Sequence, residues 1–275
     1  MKVLTTDIGR LRGPVWSPDG QYIAAHYESG HNNLSRALWV IHAASVEANR
    51  IVAKIDLPRE SGDMLAGWTP ENQLGVFIQT PKVPPATFTV SATGGKAAQV
   101  TAEVELAYLE WSADGERILG TWWNPGDSAL TIGSVPAGGG ELTGLPLSWG
   151  REVTAGGVVD VSPDGRRIVF MGGAGAPRFA RPGPENVNIW TASLDGRDLT
   201  QLTGGSRFDT HPTWSPDGRW IAFLRWLEED PDVADILLMP STGGEIRQVS
   251  SDADRVAVGG IAFSPDGDRI AYFSD

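Results

Sequence analysis

Trp214-Ser215-Pro216-Asp217-Gly218, followed directly by Arg219-Trp220-Ile221-Ala222-Phe223, is the stretch that decides the fold. Proline fixes φ near about −65° and starts a type I turn. Aspartate can bond its own backbone, and glycine supplies the left-handed residue that turns the chain back as a hairpin. The block recurs as Trp16-Ser17-Pro18-Asp19-Gly20, Trp68-Thr69-Pro70-Glu71-Asn72, Trp111-Ser112-Ala113-Asp114-Gly115, Val161-Ser162-Pro163-Asp164-Gly165 and Phe263-Ser264-Pro265-Asp266-Gly267. Successive copies begin 52, 43, 50, 53 and 49 residues apart. That is close to the spacing of propeller blades. The second copy ends in Asn72, the next best residue for a left-handed position. This points to a shared geometry.

The flanks repeat as well. A β-rich run follows each turn, as in Tyr22-Ile23-Ala24-Ala25 and Arg167-Ile168-Val169-Phe170. After a variable loop comes a third run, such as Leu38-Trp39-Val40-Ile41 or Asn188-Ile189-Trp190-Thr191. Glycine-rich turns then lead to short fourth runs ending in polar clusters, Gln99-Val100-Thr101, Gln201-Leu202-Thr203 and Gln248-Val249-Ser250. Each unit therefore reads as four antiparallel strands. The expectation is an all-β, six-bladed β-propeller forming one domain over residues 1–275. Lys2–Thr6 reads as an outer strand that closes the last blade, which is left one strand short. Either the last blade has three strands, with the N-terminal segment pairing directly on its second strand, or the chain is a fragment of a longer protein, the reading the break at a strand end favours.

These residues resemble the TolB-type WD40-like propeller repeat: a His-Pro, an aromatic, Ser-Pro-Asp-Gly, Ile-Ala-Phe and Gln-Leu-Thr. His211-Pro212-Thr213-Trp214-Ser215-Pro216-Asp217-Gly218 through Phe223 matches best, preceded by Gln201-Leu202-Thr203-Gly204-Gly205. The resemblance covers essentially the whole chain. It implies a non-catalytic binding or scaffold propeller that offers a loop-rich face or channel to a protein or peptide. The alternative it implies is the gating or accessory propeller of a larger prolyl-oligopeptidase-like hydrolase. A periplasmic or extracellular setting is implied by the resemblance alone.

Composition narrows the chemistry. The 275 residues include 34 Gly, 19 Pro and 11 Trp, which fits many turns and large rigid side chains between sheets. The formal net charge of −12 argues against a nucleic-acid partner, since phosphate binding needs a basic face. Cysteine is absent, so disulfides, zinc thiolate sites and cysteine nucleophiles are excluded. The first residues lack the apolar run of a signal peptide, and no run is long enough to insert in a membrane. A monomer is expected.

No catalytic set emerges. There is no Gly-x-Ser-x-Gly elbow, and Gly126-Asp127-Ser128-Ala129-Leu130 lies in a loop entering a strand rather than between strand and helix. The turn aspartates are scaffold, one to a blade. The Ser-Pro-Asp-Gly and Gly-Gly turns share one face of a propeller, so the longer, variable loops open on the other, where binding usually lives. The binding candidates on that face are His31 and Arg36 in the first such loop, Arg178 and Arg181 in the fourth, and Arg207, Asp209, His211 and Arg255 around the connectors. The acidic loop 225–235 brings Asp230, Asp232 and Asp235 as candidate Ca²⁺ ligands, without the Asp-x-Asp-x-Asp-Gly order of an EF-hand. A solvated acidic loop is the simpler reading, and no cofactor is expected.

Overall fold

The structure is a computed structural model that describes residues 10–28, 35–43, 51–56, 64–80, 83–101, 107–124, 129–145, 154–173, 187–205, 208–227, 233–250, 256–257 and 260–273. It is an all-β propeller of four-stranded antiparallel sheets. The first sheet is β1 (Arg10–Trp16), β2 (Tyr22–Glu28), β3 (Ser35–His42) and β4 (Ile51–Asp56). The second is β5 (Met64–Trp68), β6 (Gln73–Thr80), β7 (Val83–Ser91) and β8 (Ala98–Gln99). The third is β9 (Ala107–Trp111), β10 (Arg117–Asn124), β11 (Ala129–Pro136) and β12 (Thr143–Gly144). The fourth is β13 (Thr154–Val161), β14 (Arg167–Gly173), β15 (Asn188–Ser193) and β16 (Thr200–Gln201). The fifth is β17 (Asp209–Trp214), β18 (Trp220–Trp226), β19 (Val233–Pro240) and β20 (Arg247–Gln248), with β21 (Val256–Ala257) pairing on the start of β19. Last comes a two-stranded sheet, β22 (Ile261–Phe263) with β23 (Ile270–Tyr272).

Against the expected six blades, the last of them one strand short, the described residues form five sheets of at least four strands and a two-stranded hairpin. The sixth turn motif folds as the others do, but only its two flanking strands form a sheet among the described residues. The proposed closing strand, Lys2–Thr6, lies outside the described residues.

Middle strands are buried on both faces because each sheet is sandwiched by its neighbours. Ile221, Ala222, Phe223 and Leu224 of β18 are all fully buried. The apolar clusters cross from sheet to sheet. Ala24 and Leu38 pack with Trp68 and Leu74, Phe77 with Trp111, Leu119 with Ile168, and Val169 with Phe223. Leu224 and Ile236 then pack with Ile261 and Tyr272, and Phe273 packs on Leu11 and Ile41 of the first sheet. The hairpin therefore closes the ring.

The turn motif is a hydrogen-bonded box. Ser17 Oγ donates to Asp19 Oδ1 at 2.6 Å, Asp19 Oδ1 accepts the Gln21 N–H, and the Tyr22 N–H donates to Ser17 Oγ at 2.8 Å. The same bonds recur around Ser112, Ser162, Ser215 and Ser264. The glycines closing these turns have φ between 67° and 76°. Asn72 takes φ 58° in their place, as the sequence anticipates. The serine and backbone donors hold the Asp114, Asp164, Asp217 and Asp266 carboxyls below their ordinary range, Asp217 at about 2.

The polar clusters after the outer strands also have a structural role. Thr101 Oγ1, Thr203 Oγ1 and Ser250 Oγ accept the backbone N–H of Thr87, Ile189 and Ile236 at 2.9–3.0 Å, all buried. Outer strands only two residues long are pinned to the sheet in this way.

Candidate functional site

Inner strands carry the polar groups nearest the ring's centre. At the loop-bearing end of the fifth sheet, the register sets Asp209 opposite Arg225, and Arg225 opposite Asp235. Asp209 is fully buried and accepts both Nε and Nη2 of Arg225, at 2.7 and 2.8 Å. This bidentate pair fixes the start of β17 against the end of β18. Asp235 accepts the Gln248 side-chain amide at 3.0 Å. Arg225 and Asp235, expected to bound a loop, are strand residues. Among the described residues no group of three acidic or histidine side chains is placed to hold a metal ion. Asp230 and Asp232 lie outside the described residues.

Beside this pair, Thr210 Oγ1 accepts the Trp226 indole N–H at 2.8 Å and lies 3.0 Å from His211 Nδ1. After accepting the indole N–H the threonine hydroxyl still has its own proton and a second lone pair, so it can pair with Nδ1 in either tautomer. Burial pulls His211 down to about 4, so the ring is neutral at pH 7. His211 sits in a bulge of β17 with φ 50°, a conformation in which histidine is enriched among non-glycine residues. Gly13 and Gly260, also three residues before their turn-motif aromatics, have φ 60° and 91°. A Cβ at Gly260 would stand 3.3 Å from His211 Cδ2 and 3.8 Å from the Gly13 Cα. Three inner strands thus converge on this histidine.

Arg36 lies on β3 rather than in a loop. His31, Arg178, Arg181, Arg207 and Arg255 lie outside the described residues.

Two groups were not singled out in the sequence. Glu110 and Asp160 occupy the position just before the motif residues Trp111 and Val161, on adjacent inner strands. Asp160 Oδ1 accepts the Val161 N–H, and Oδ2 accepts the Trp214 N–H of the next sheet, both at 2.7 Å. Burial pushes Asp160 up to about 6. Burial, and then the Asp160 charge, push Glu110 well above the carboxylate range. The other copies carry Val15, Gly67, Thr213 and Ala262 here, so the only signal in the sequence was an acid at an otherwise uncharged repeat position.

A cavity of about 500 Å³ with a mixed polar and apolar lining opens between the fourth and fifth sheets, at the turn-bearing end. It is lined by Asp164, Arg167, Thr191, Trp214, Asp217 and Ser241, among others. The turn face, read from the sequence as scaffold alone, therefore carries a concave site.

No family model matches the chain. It is 25% identical over 285 aligned residues to uncharacterized protein Atu1656 of Agrobacterium fabrum, covering 99% of this chain and 87% of that protein. Shorter stretches match the uncharacterized peptidase YuxL of Bacillus subtilis (34% over 83 residues, 30% of this chain and 12% of that protein) and the Tol-Pal system protein TolB of Syntrophus aciditrophicus (37% over 59 residues, 22% and 13%). Among solved structures, a protein assigned as TolB in Agrobacterium tumefaciens superposes with a TM-score of 0.71 at 21% identity, covering all of this chain and 94% of that one. TolB of Acinetobacter baumannii superposes with a TM-score of 0.63 at 17% identity, over 99% of this chain and 60% of that one. Ring of sheets, turn boxes and neighbours agree: by fold, this chain is a β-propeller, similar to those of the TolB type.

Proposed function

We propose that this chain is a non-catalytic binding propeller whose loop-bearing end receives a protein or peptide. The observation that carries this reading is the rigid polar floor at that end. The buried Asp209–Arg225 pair and the neutral His211 are held in place by Thr210 and Trp226. A neutral His211 offers Nε2 to a peptide group, as donor or acceptor according to its tautomer. Among the described residues, no serine, threonine or acid is hydrogen-bonded to it as nucleophile and orienting partner, other than the structural Thr210. His31, Arg36, Arg178, Arg181, Arg207 and Arg255 form the surrounding rim in this reading, and no metal takes part. The hairpin β22–β23 is the inner half of a sixth blade, which makes the propeller six-bladed. The TolB-type neighbours are in keeping with a protein partner.

The test is affinity capture from cells with the tagged chain. A protein should be retained by the wild type and lost with the double variant Arg36→Ala, His211→Asn. Asparagine accepts the left-handed backbone at 211, so the fold is kept. Retention by both forms would overturn the assignment of the site. The peptidase match supports a second reading, an accessory propeller of a larger hydrolase. The genomic sequence downstream of Asp275 decides it: an open frame into a hydrolase domain supports it, and an immediate stop codon ends it.

A further inference from the structure

At two seams between sheets the motif aromatic is covered by a side chain of the preceding sheet, and at one it is not. The covering side chain stands two residues after the turn glycine; Arg117, at this position in the third sheet, bonds Ser134 Oγ instead, but the motif residue facing it is Val161 and not an aromatic ring. Tyr22 stacks on Trp68 with ring centroids 6.4 Å apart, and the Arg269 guanidinium lies 4.9 Å from the Trp16 ring centroid. At the seam between the fourth and fifth sheets the corresponding pair is Arg167 and Trp214. Arg167 turns aside to Thr191 Oγ1, with long contacts of 3.4 Å from Nε and 3.3 Å from Nη2. It makes no ion pair and no ring contact among the described residues. The space it leaves over Trp214 is the cavity of about 500 Å³.

The charges around this cavity are ordered. Arg167 is half-buried, whereas Asp164 and Asp217 are exposed at the rim. Asp217 Oδ2 holds Arg219, and Asp164 Oδ1 holds Ser162 and the Arg166 N–H, so Asp164 Oδ2 faces no described donor. An inner cation without a carboxylate suits a ligand carboxylate. A rim acid suits an N–H donor carried beside it. The volume falls in the range of small-ligand pockets.

We propose that this cavity is a second binding site, on the face opposite the loops, for an α-carboxylate flanked by an amide or ammonium N–H. The carboxylate meets Arg167, the N–H meets Asp164, and the ligand's body lies on the Trp214 ring. The source is a peptide C-terminus or a free amino acid, and the probes separate the two.

Calorimetric titration with N-acetyl-trialanine, its C-terminal amide and free alanine tests the proposal. The expected result is binding of at least one free-acid probe. For a peptide source, amidation weakens binding about tenfold or more. Arg167→Gln weakens binding of the free acid by a similar factor. Arg269→Gln, which alters the same position at a filled seam, leaves it unchanged. Binding of free alanine alone identifies an amino-acid site and supports the shared chemistry. The proposal is overturned if none of the three binds below about 5 mM, if amide and acid bind equally, or if Arg167→Gln and Arg269→Gln act alike. Thermal melts of both variants confirm that each is folded.

Discussion

At the scale of single residues, the turn serine is as important as the glycine that closes the turn. Ser215 is buried, donates to Asp217 and accepts the Trp220 N–H at 2.9 Å. Alanine at this position strands a backbone N–H and removes the main cause of the Asp217 carboxyl's low value. Ser215→Ala is expected to destabilise the chain by about 1–3 kcal/mol in urea unfolding. Ser215→Thr should cost less, because Thr69 fills the same position in the second copy and its hydroxyl accepts the Gln73 N–H. If alanine and threonine cost the same, the hydroxyl is not what holds the turn. His211 shows the opposite kind of residue, one whose role depends on distant chain. Its neutrality comes from burial against strands of other sheets, and its position from the absence of a Cβ at Gly260.

At the scale of the element, the outer strands raise a question of attachment. β16 is two exposed residues, too short to hold itself in place by its ladder. Thr203 Oγ1 supplies the missing link by accepting the Ile189 N–H at 3.0 Å in the buried interior. Thr203→Val keeps the volume and removes the acceptor. We expect a loss of about 1–3 kcal/mol, with Thr203→Ser close to wild type, both read from thermal melts. Hydrogen exchange at the Ile189 amide should rise in the valine variant before global unfolding. The strands themselves were legible in the sequence because turn chemistry is local: Pro, Asp and Gly at fixed offsets state a hairpin without reference to anything else. Contacts between sheets were not. Gly133 reads as a strand glycine of no consequence, yet a Cβ there would come within 2.1 Å of Trp122 Cζ3. The acids at Glu110 and Asp160 read as two isolated charges, because nothing local says that β9 and β13 lie side by side. The cavity beside Arg167 depends on which way one side chain turns, which no periodicity encodes.

At the scale of the whole molecule, the ring is closed by apolar clusters that run from sheet to sheet and return to the first through Phe273. Ring closure places the inner strands where like charges cannot separate, and this has a consequence for pH. Asp160 binds its proton more tightly in the folded chain, at about 6 against an ordinary value of 3.8. Folding is therefore favoured by this group at low pH, and the benefit is lost as pH rises from about 4 to 6. Glu110 acts in the same direction, since burial and Asp160 both raise it. No lysine or arginine lies on the described inner strands β5, β9, β13 or β17 to relieve the pair, and the one histidine there, His211, is neutral. His211 works the other way: its value is depressed to about 4, so its contribution falls as pH drops from about 6.5 to 4. The two effects oppose each other between about pH 4 and 6, and a flat stability profile there is expected of the wild type. Glu110→Gln removes one side of the balance. At pH 7 it should stabilise the chain, because a neutral amide needs neither ionisation beside Asp160 nor a proton taken from solvent. Near pH 3.5 both carboxyls are protonated in the folded chain and mostly so in the unfolded one, and the gain should shrink toward zero. Urea unfolding of wild type and variant at the two pH values measures it. An equal difference at both would show that the amide acts through packing, and that the two carboxyls do not share the electrostatic cost assigned to them.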